Sequence, residues 1–173
     1  MQSLTIALLE AHSKDYPILQ NLACFYVYDM SRYCGFLPGW KCPETGLYKS
    51  YDFKKYFEDE NHYPFIIRVD EELAGFVLVN KIAITSDVDW HMSEFFITAK
   101  FQRRGIGQTV AKQIWEKFPG NWEVSVIPQN ERGLNFWRKA IKATTNDQYV
   151  ENIVKVSWDI TNPRIIFNFN IAT

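Results

Sequence analysis

Apolar and polar positions repeat with two different periods in the first half of the chain. After Pro17, apolar side chains recur at helical spacing as far as Met30, which predicts an amphipathic helix. A loop rich in Gly and Pro follows over 35–46, and a short helix is expected over 51–60. Continuous or alternating apolar runs predict strands over 4–9, 64–69, 73–84 and 91–98. The polar turn at 70–72 makes the second and third of these strands a hairpin.

The second half of the chain alternates helices with strands. Apolar stripes predict helices over 109–118 and 133–143. Further strands are expected over 122–127, 149–158 and 165–169. A helix connects the strand at 91–98 to the strand at 122–127, so we expect those two strands to be parallel. The predicted order is β-α-(α)-β-β-β-α-β-α-β-β, which is typical of a mixed α/β domain.

Length and composition point to one ordinary globular domain. The chain has 173 residues, of which 47% are hydrophobic and 23% are charged. A chain of this size buries a sizeable core, so we predict a single domain over residues 1–173. The net charge of −1 argues against a nucleic-acid partner, because such proteins usually carry a basic face. No apolar run approaches the ~18 residues of a membrane span, so no membrane partner is expected.

The cysteines and histidines form no pattern that suggests a metal site. Cys24, Cys34 and Cys42 are odd in number and widely spaced, and the three histidines are scattered. We therefore expect no metal ion and three reduced thiols. No basic segment precedes an apolar stretch at the N-terminus. These features together predict a cytoplasmic protein.

One hexapeptide, Gln102-Arg103-Arg104-Gly105-Ile106-Gly107, carries the strongest chemical signal in the sequence. It follows a predicted strand and opens a predicted helix. The first turn of a helix has unpaired N–H groups and a positive dipole end, and glycines let the backbone approach a ligand closely. Two arginines add positive charge. The segment therefore predicts a phosphate or pyrophosphate site, although a tight turn with solvated arginines fits the hexapeptide alone.

Two better-known phosphate motifs do not fit this segment. The dinucleotide fingerprint needs a third glycine where Val110 stands, and a P-loop needs Gly-Lys-Ser/Thr where the chain has Gly107-Gln108-Thr109. The signature of a third kind of protein does fit this segment. Residues 94–107 resemble the acetyl-CoA signature of the GCN5-related N-acetyltransferases (GNAT family), which is a strand, then Q/R-x-x-G-x-G/A, then a helix. Residues 130–139 look like the second block of that family, N-x-x-A-x-x-F-Y-x-K.

The resemblance implies a fold and a mode of cofactor binding. The fold would be α/β, with a GNAT-like mixed central sheet of six to seven strands flanked by helices. Acetyl-CoA would be the co-substrate, its pyrophosphate held by the amides of the hexapeptide and its pantetheine arm by backbone groups of the preceding strand. The cofactor-binding residues that it implies are Phe95, Ile97, Gln102, Arg103, Arg104, Gly105, Ile106, Gly107, Asn130 and Trp137. Arg103 and Arg104 would also reach the 3′-phosphate, unless they are simply solvated.

The resemblance also suggests catalytic roles. An alkyl ammonium with a pKa of about 10.4 must lose a proton before it attacks a thioester. Glu94 is the predicted general base, since many members carry an acidic residue on this strand; a structural glutamate is the alternative. The family often protonates the departing thiolate with a tyrosine of the second block, where this chain has Trp137. An indole N–H is no usable acid, so Trp137 either packs on the cofactor or belongs to the core.

These observations predict an acyltransferase that moves an acetyl group from acetyl-CoA to a primary amine in a ternary complex. A non-catalytic acyl-CoA-binding domain or a GNAT-fold interaction module is the alternative. The acceptor is expected to be a small-molecule amine or a protein amine. The chain is expected to be a monomer or a homodimer.

Overall fold

The computed structural model describes residues 4–85 and 87–172, apart from the side chains of residues 160 and 161. Residues 1–3, 86 and 173 of the domain predicted over 1–173 lie outside the described part. The chain forms two compact units. The first holds the described residues up to Leu78 together with Glu94–Gly107, and the second holds Val79–Ser93 and the chain from Gln108 onward.

The elements follow the order that the periodicities predict. The seven strands are β1 (Ile6–Glu10), β2 (His62–Val69), β3 (Glu72–Asn80), β4 (Trp90–Ile97), β5 (Gly120–Val126), β6 (Tyr149–Val156) and β7 (Asp159–Ile171). The three α-helices are α1 (Tyr16–Cys34), α2 (Ile106–Lys117) and α3 (Glu131–Thr145). Short 3₁₀ turns lie at Ser13–Asp15, Phe53–Phe57 and Ala99–Phe101. The α/β fold class is confirmed, with seven strands in the sheet.

The sheet is mixed and has the strand order β1-β2-β3-β4-β5-β7-β6. β4 runs parallel to β5, with Trp90 opposite Trp122 and Met92 opposite Val124. This confirms the parallel pair expected from the helical connection. β5 pairs with β7 and β6 pairs with β7, both antiparallel. β1 pairs antiparallel with β2.

Some predicted boundaries were wrong. The helix expected over 109–118 begins at Ile106, and the helix expected over 51–60 is a 3₁₀ turn over Phe53–Phe57. The strand expected over 73–84 ends at Asn80, whose side chain accepts a hydrogen bond from the Ile82 N–H. The last strand is longer than its apolar run of 165–169 and extends over Asp159–Ile171. Apolar periodicity therefore located the elements but not the turns that polar side chains make at their ends.

The core of the first unit includes large apolar side chains from α1, the turn over Phe53–Phe57, β3 and β4. Leu19, Phe53, Phe76 and Leu78 have no exposed surface, and Phe96 has 6%. Gly75 permits the strands to meet closely, because a Cβ at that position would collide with the Phe96 carbonyl oxygen. A side chain at residue 75 would therefore push β3 away from β4.

The second unit contains a fully buried carboxylate. Glu123 of β5 is 0% exposed and accepts hydrogen bonds from the Ile84 N–H at 2.7 Å and the Thr85 N–H at 2.8 Å. The Thr85 hydroxyl donates to the same carboxylate, and Asn168 donates to that hydroxyl at 3.0 Å. Glu123 thus accepts hydrogen bonds from the main-chain N–H groups of Ile84, the last residue of the strand predicted over 73–84, and of Thr85, the residue after it.

His91 lies beside this carboxylate. Its Nδ1–H donates to the Ile82 carbonyl at 2.9 Å, and its Nε2 lies 3.8 Å from Glu123 Oε1. Burial lowers the pKa of His91, against the effects of Glu123 and of the Ile82 carbonyl. The imidazole is therefore neutral at neutral pH, and hydrogen bonds rather than a full ion pair stabilise the carboxylate.

Candidate active site

The carboxyl group of Glu94 lies in the first unit, on β4, among phenols. Its Oε1 accepts a hydrogen bond from the Tyr51 hydroxyl at 3.0 Å. The Tyr26 hydroxyl of α1 is its second hydrogen-bond partner. Glu94 is half-buried, so part of its surface still reaches solvent. The residue thus keeps some contact with solvent, while its carboxyl group is held by two phenols.

The surroundings of Glu94 change its acidity. Burial raises the pKa of Glu94 to about 7, although the hydrogen bonds from Tyr26 and Tyr51 act in the opposite direction. Desolvation dominates because the charged form loses more hydration than two phenols replace. The same burial, together with the charge on Glu94, raises the pKa of Tyr26 well above its usual value. Tyr26 therefore remains a hydrogen-bond donor at neutral pH.

Aromatic packing fixes Tyr26 in this place. Its ring meets Phe76 edge-on with the centroids 6.0 Å apart, and it meets Phe96 at 5.7 Å. Aromatic contacts of this kind are worth about 1 kcal/mol each beyond the area that they bury. The core of the first unit thus sets the orientation of one of the two phenols on Glu94.

The segment that carries the second phenol is tied to α1 by two side chains. Gln20 donates to the Tyr51 carbonyl at 3.1 Å and accepts from the Phe53 N–H at 3.0 Å. The Tyr16 hydroxyl donates to Asp52 at 2.8 Å, and Asp52 also caps the 3₁₀ turn by accepting from the Lys54 N–H. Three consecutive residues, 51–53, are therefore anchored to one helix.

A second candidate element, the loop between β4 and α2, belongs to the same unit. The Thr98 N–H donates to the Ala74 carbonyl at 2.8 Å, which holds the loop against β3. The Gln102 side chain donates to the Ile97 carbonyl at 2.6 Å, and the Gln102 N–H donates to the Ala99 carbonyl. Gln102, predicted as a cofactor ligand, thus uses both its side-chain amide and its main-chain donor to shape the loop.

Beyond Gln102 the backbone takes an unusual course. Arg103 and Gly105 have left-handed dihedral angles, with φ of 61° and 79°. Arg103, Arg104 and Gly105 are exposed, and a Cβ built on Gly105 would meet no atom within 4 Å. Open space at Gly105 and the following N-terminus of α2 fit the approach of an anionic group. Ile106 is fully buried, so its side chain anchors the helix rather than facing a ligand.

The remaining predicted ligands are distributed between the two units. Phe95 is half-buried and Ile97 is buried, both on β4 near Glu94 in the chain. Asn130 and Trp137 belong to the second unit. Trp137 is buried against Trp115 and Phe136, with centroids 6.3 Å and 4.8 Å away. Its indole therefore has a place in the core of that unit, and its contact with a cofactor stays a prediction.

Asn130 caps α3, because its Oδ1 accepts a hydrogen bond from the Gly133 N–H at 2.9 Å. We expect Asn130→Ala to lower the free energy of unfolding by about 1 kcal/mol, the usual value of such a cap. Chemical denaturation measures the loss. Asn130→Asp, which keeps the capping oxygen, is the matched control and should unfold close to the wild type. Equal destabilisation by both variants would contradict the capping role.

Comparison with known proteins supports the resemblance seen in the sequence. The model of the acetyltransferase (GNAT) family matches residues 12–141, which is most of the chain. The chain belongs to this family. No curated protein matches the chain.

Among the described residues, no group of three or more His, Cys, Asp or Glu side chains is arranged to hold a metal ion. No described helix is long and apolar enough to cross a membrane.

Solved structures of GNAT proteins are similar to this chain in fold. An acetyltransferase from Thermus thermophilus has a TM-score of 0.65 at 16% identity, covering 99% of this chain and 100% of that one. The ribosomal-protein-S18-alanine N-acetyltransferase of Escherichia coli has a TM-score of 0.63 at 11% identity, covering 98% and 96%. A protein of Bacillus anthracis str. Ames, described as a candidate streptothricin acetyltransferase in complex with acetyl coenzyme A, has a TM-score of 0.58 at 11% identity, covering 96% and 99%. At these identities the likeness establishes the GNAT fold.

Sequence reasoning missed Tyr51 and Gln20, two residues of this candidate site. Tyr51 is 43 residues from Glu94 in the chain, and Gln20 is 31 residues from Tyr51. Neither contact leaves a periodic signal. One clue was available: Gln20 is a half-buried polar residue of α1 next to the fully buried Leu19. A polar residue in that position needs a partner.

Proposed function

We propose that this GNAT-family chain transfers an acetyl group from acetyl-CoA to an amine, with Glu94 as the general base. The observation that carries the proposal is a carboxyl group that accepts hydrogen bonds from two phenols and whose pKa burial raises to about 7. A base with this pKa is half deprotonated at neutral pH and still strong enough to accept a proton. An exposed glutamate, with a pKa of about 4.3, would be a weaker base.

The reaction that we propose is direct. The amine nitrogen attacks the thioester carbonyl carbon, the C–S bond breaks, and coenzyme A leaves as the thiolate. Glu94 takes the proton that the attacking nitrogen releases, either directly or through a water molecule. A thiol with a pKa of about 8.5 is an acceptable leaving group as its anion. A tyrosine acid is therefore not essential to the balance of charges, and Trp137 does not exclude catalysis.

The loop over 102–107 is the proposed site for the pyrophosphate of acetyl-CoA. Two exposed arginines, open space at Gly105 and the start of α2 provide positive potential and close backbone access. The complex of the Bacillus anthracis protein with acetyl coenzyme A supports the choice of ligand. We also propose that Phe95 and Ile97 contribute backbone contacts to the same ligand.

Isothermal titration with acetyl-CoA tests the binding site. We expect a dissociation constant in the micromolar range, about −8 kcal/mol, for the wild type. Gly105→Glu should weaken binding by more than about tenfold, because a carboxylate would occupy the open space and repel phosphate. Gly105→Asn is the matched control: Asn tolerates a left-handed backbone and carries no charge, so it should bind more tightly than Gly105→Glu. Absence of binding to folded wild-type protein would contradict the proposal.

One observation favours a second function, a non-catalytic acyl-CoA-binding domain. Trp137 is buried where the family often has its tyrosine acid. Release of free thiol from acetyl-CoA with a panel of small amines and amine-bearing peptides separates the two functions. Acceptor-dependent release supports the transferase. Binding of acetyl-CoA without release for any member of the panel supports the binding domain.

A further inference from the structure

A single side chain of α1 makes two hydrogen bonds to the segment that carries Tyr51. The Gln20 amide donates to the Tyr51 carbonyl at 3.1 Å and accepts from the Phe53 N–H at 3.0 Å. The two contacts lie on either side of Asp52, so they fix both position and direction of the main chain there. A primary amide suits this task because it offers one acceptor and a donor on the same plane.

Tyr51 needs such support. Its side chain is 53% exposed, so burial contributes little to its position. An edge-on contact with Phe53, with centroids 5.0 Å apart, helps to orient the ring. Its hydroxyl nevertheless reaches across 43 residues of sequence to Glu94 Oε1 at 3.0 Å. The main chain at Tyr51, held by Gln20, fixes the point from which this side chain reaches Glu94.

We propose that Gln20 is a positioning residue that holds the Tyr51 hydroxyl on the carboxylate of Glu94. Gln20 itself does not touch Glu94; it acts through the main chain of residues 51–53. The proposal deepens the proposed function, on which its catalytic consequence rests. The two successive contacts, Gln20 with the main chain at Tyr51 and the Tyr51 hydroxyl with Glu94, are properties of the fold and can be tested without turnover.

The chemical effect follows from the groups that face Glu94. These are the phenol of Tyr26 from α1 and the phenol of Tyr51 from residues 51–53. The Cys34 thiol contributes indirectly, because it raises the pKa of Tyr26. The hydrogen bond from Tyr51 lowers the pKa of Glu94, against the larger effect of burial. Removal of that bond should therefore raise the pKa of Glu94 further. Gln20 limits the rise by keeping Tyr51 in place.

The experiment is a ¹³C NMR titration of the Glu94 side-chain carboxyl carbon, whose signal is assigned by its absence in Glu94→Gln. Gln20→Met keeps the side-chain volume and removes both hydrogen bonds. We expect it to raise the midpoint by about one pH unit, as Tyr51→Phe should. The double variant should show no more than the Tyr51→Phe shift, because both changes remove the same bond. Gln20→Ala serves as a second variant if Gln20→Met does not fold.

Tyr16→Phe is the matched control, since it removes another bond between α1 and the same segment, one that ends on Asp52. It should leave the Glu94 midpoint within about 0.2 pH unit of the wild type. An unchanged or lowered midpoint in both Gln20 variants overturns the proposal, and so does a full additive shift in the double variant.

The pH profile of kcat/KM separates this proposal from the proposed function. If the acidic limb of the kcat/KM profile moves with the NMR midpoint in Gln20→Met, the result supports both the positioning role of Gln20 and the role of Glu94 as the base. If the midpoint moves and the limb does not, Gln20 positions Tyr51 but Glu94 is not the base. If the limb is present and the midpoint does not move, the positioning role of Gln20 fails and the proposed function is unaffected.

Discussion

Replacement of Glu94 with glutamine should lower kcat by about 100-fold or more, the scale on which general acid–base catalysis contributes. Glutamine keeps the shape of the side chain and accepts a hydrogen bond from Tyr51, so the fold around the site should survive. It cannot take a proton from an ammonium group. Steady-state measurement of thiol release with a saturating amine gives the value.

The pH dependence of turnover provides the second readout for Glu94. The base acts only when it is deprotonated, and its pKa lies at about 7. In the wild type, kcat/KM should therefore rise with pH and level off above pH 7. In Glu94→Gln this limb should disappear. The remaining dependence would reflect the fraction of acceptor amine that is already uncharged.

Two controls test whether the loss of turnover in Glu94→Gln comes from the loss of the base. Affinity for acetyl-CoA, measured by titration, should be the same in Glu94→Gln and in the wild type. Glu58→Gln removes an exposed glutamate that pairs with Lys54 in the same unit, and its turnover should match the wild type. Turnover of Glu94→Gln within about threefold of the wild type would remove Glu94 from the role of base.

The second large effect is expected on stability. Glu123→Ala should lower the free energy of unfolding by about 3 kcal/mol, because the Ile84 N–H, the Thr85 N–H and the Thr85 hydroxyl all lose their acceptor inside the second unit. The methyl group of alanine also leaves a cavity beside His91. Urea denaturation followed by tryptophan fluorescence measures the shift in midpoint.

Thr85→Val isolates one part of this effect. It removes only the hydroxyl donor and keeps both main-chain bonds to Glu123, so a smaller loss of about 1 kcal/mol is expected. Glu116→Ala, on the exposed face of α2, is the control for loss of a surface carboxylate and should be nearly neutral. If Glu123→Ala is as stable as Glu116→Ala, water molecules replace Glu123 as the acceptor for the N–H groups of Ile84 and Thr85, and the prediction is wrong.

The part of the structure that follows from the sequence is the part that depends on local pattern. The helix after Pro17 and the strands either side of residues 70–72 came from apolar periodicity, and the parallel pair β4–β5 came from the helix between them. The glycine loop came from a motif whose chemistry is local. In each case the residues that decide the structure are neighbours in the chain.

What the sequence did not reveal depends on distant polar contacts. The segment 81–84 looked like a continued strand because Ile82 and Ile84 are apolar, but the Ile84 N–H turns toward Glu123, 39 residues away in the chain. Helix α2 starts at Ile106, three residues before its predicted start, and the left-handed conformation of Arg103 just before it is one that no periodicity reports. Tyr51 was assigned to a short helix, although its importance lies in a contact with Glu94.

The raised pKa of Glu94 also has a thermodynamic cost for the folded chain. In an unfolded chain this carboxyl would titrate near its ordinary value of 4.5, and in the fold it titrates at about 7. Its contribution to stability is therefore fully present below pH 4.5 and is lost as pH rises to about 7. The deprotonated state of Glu94 that the proposed mechanism requires is thus the state in which the fold is less stable.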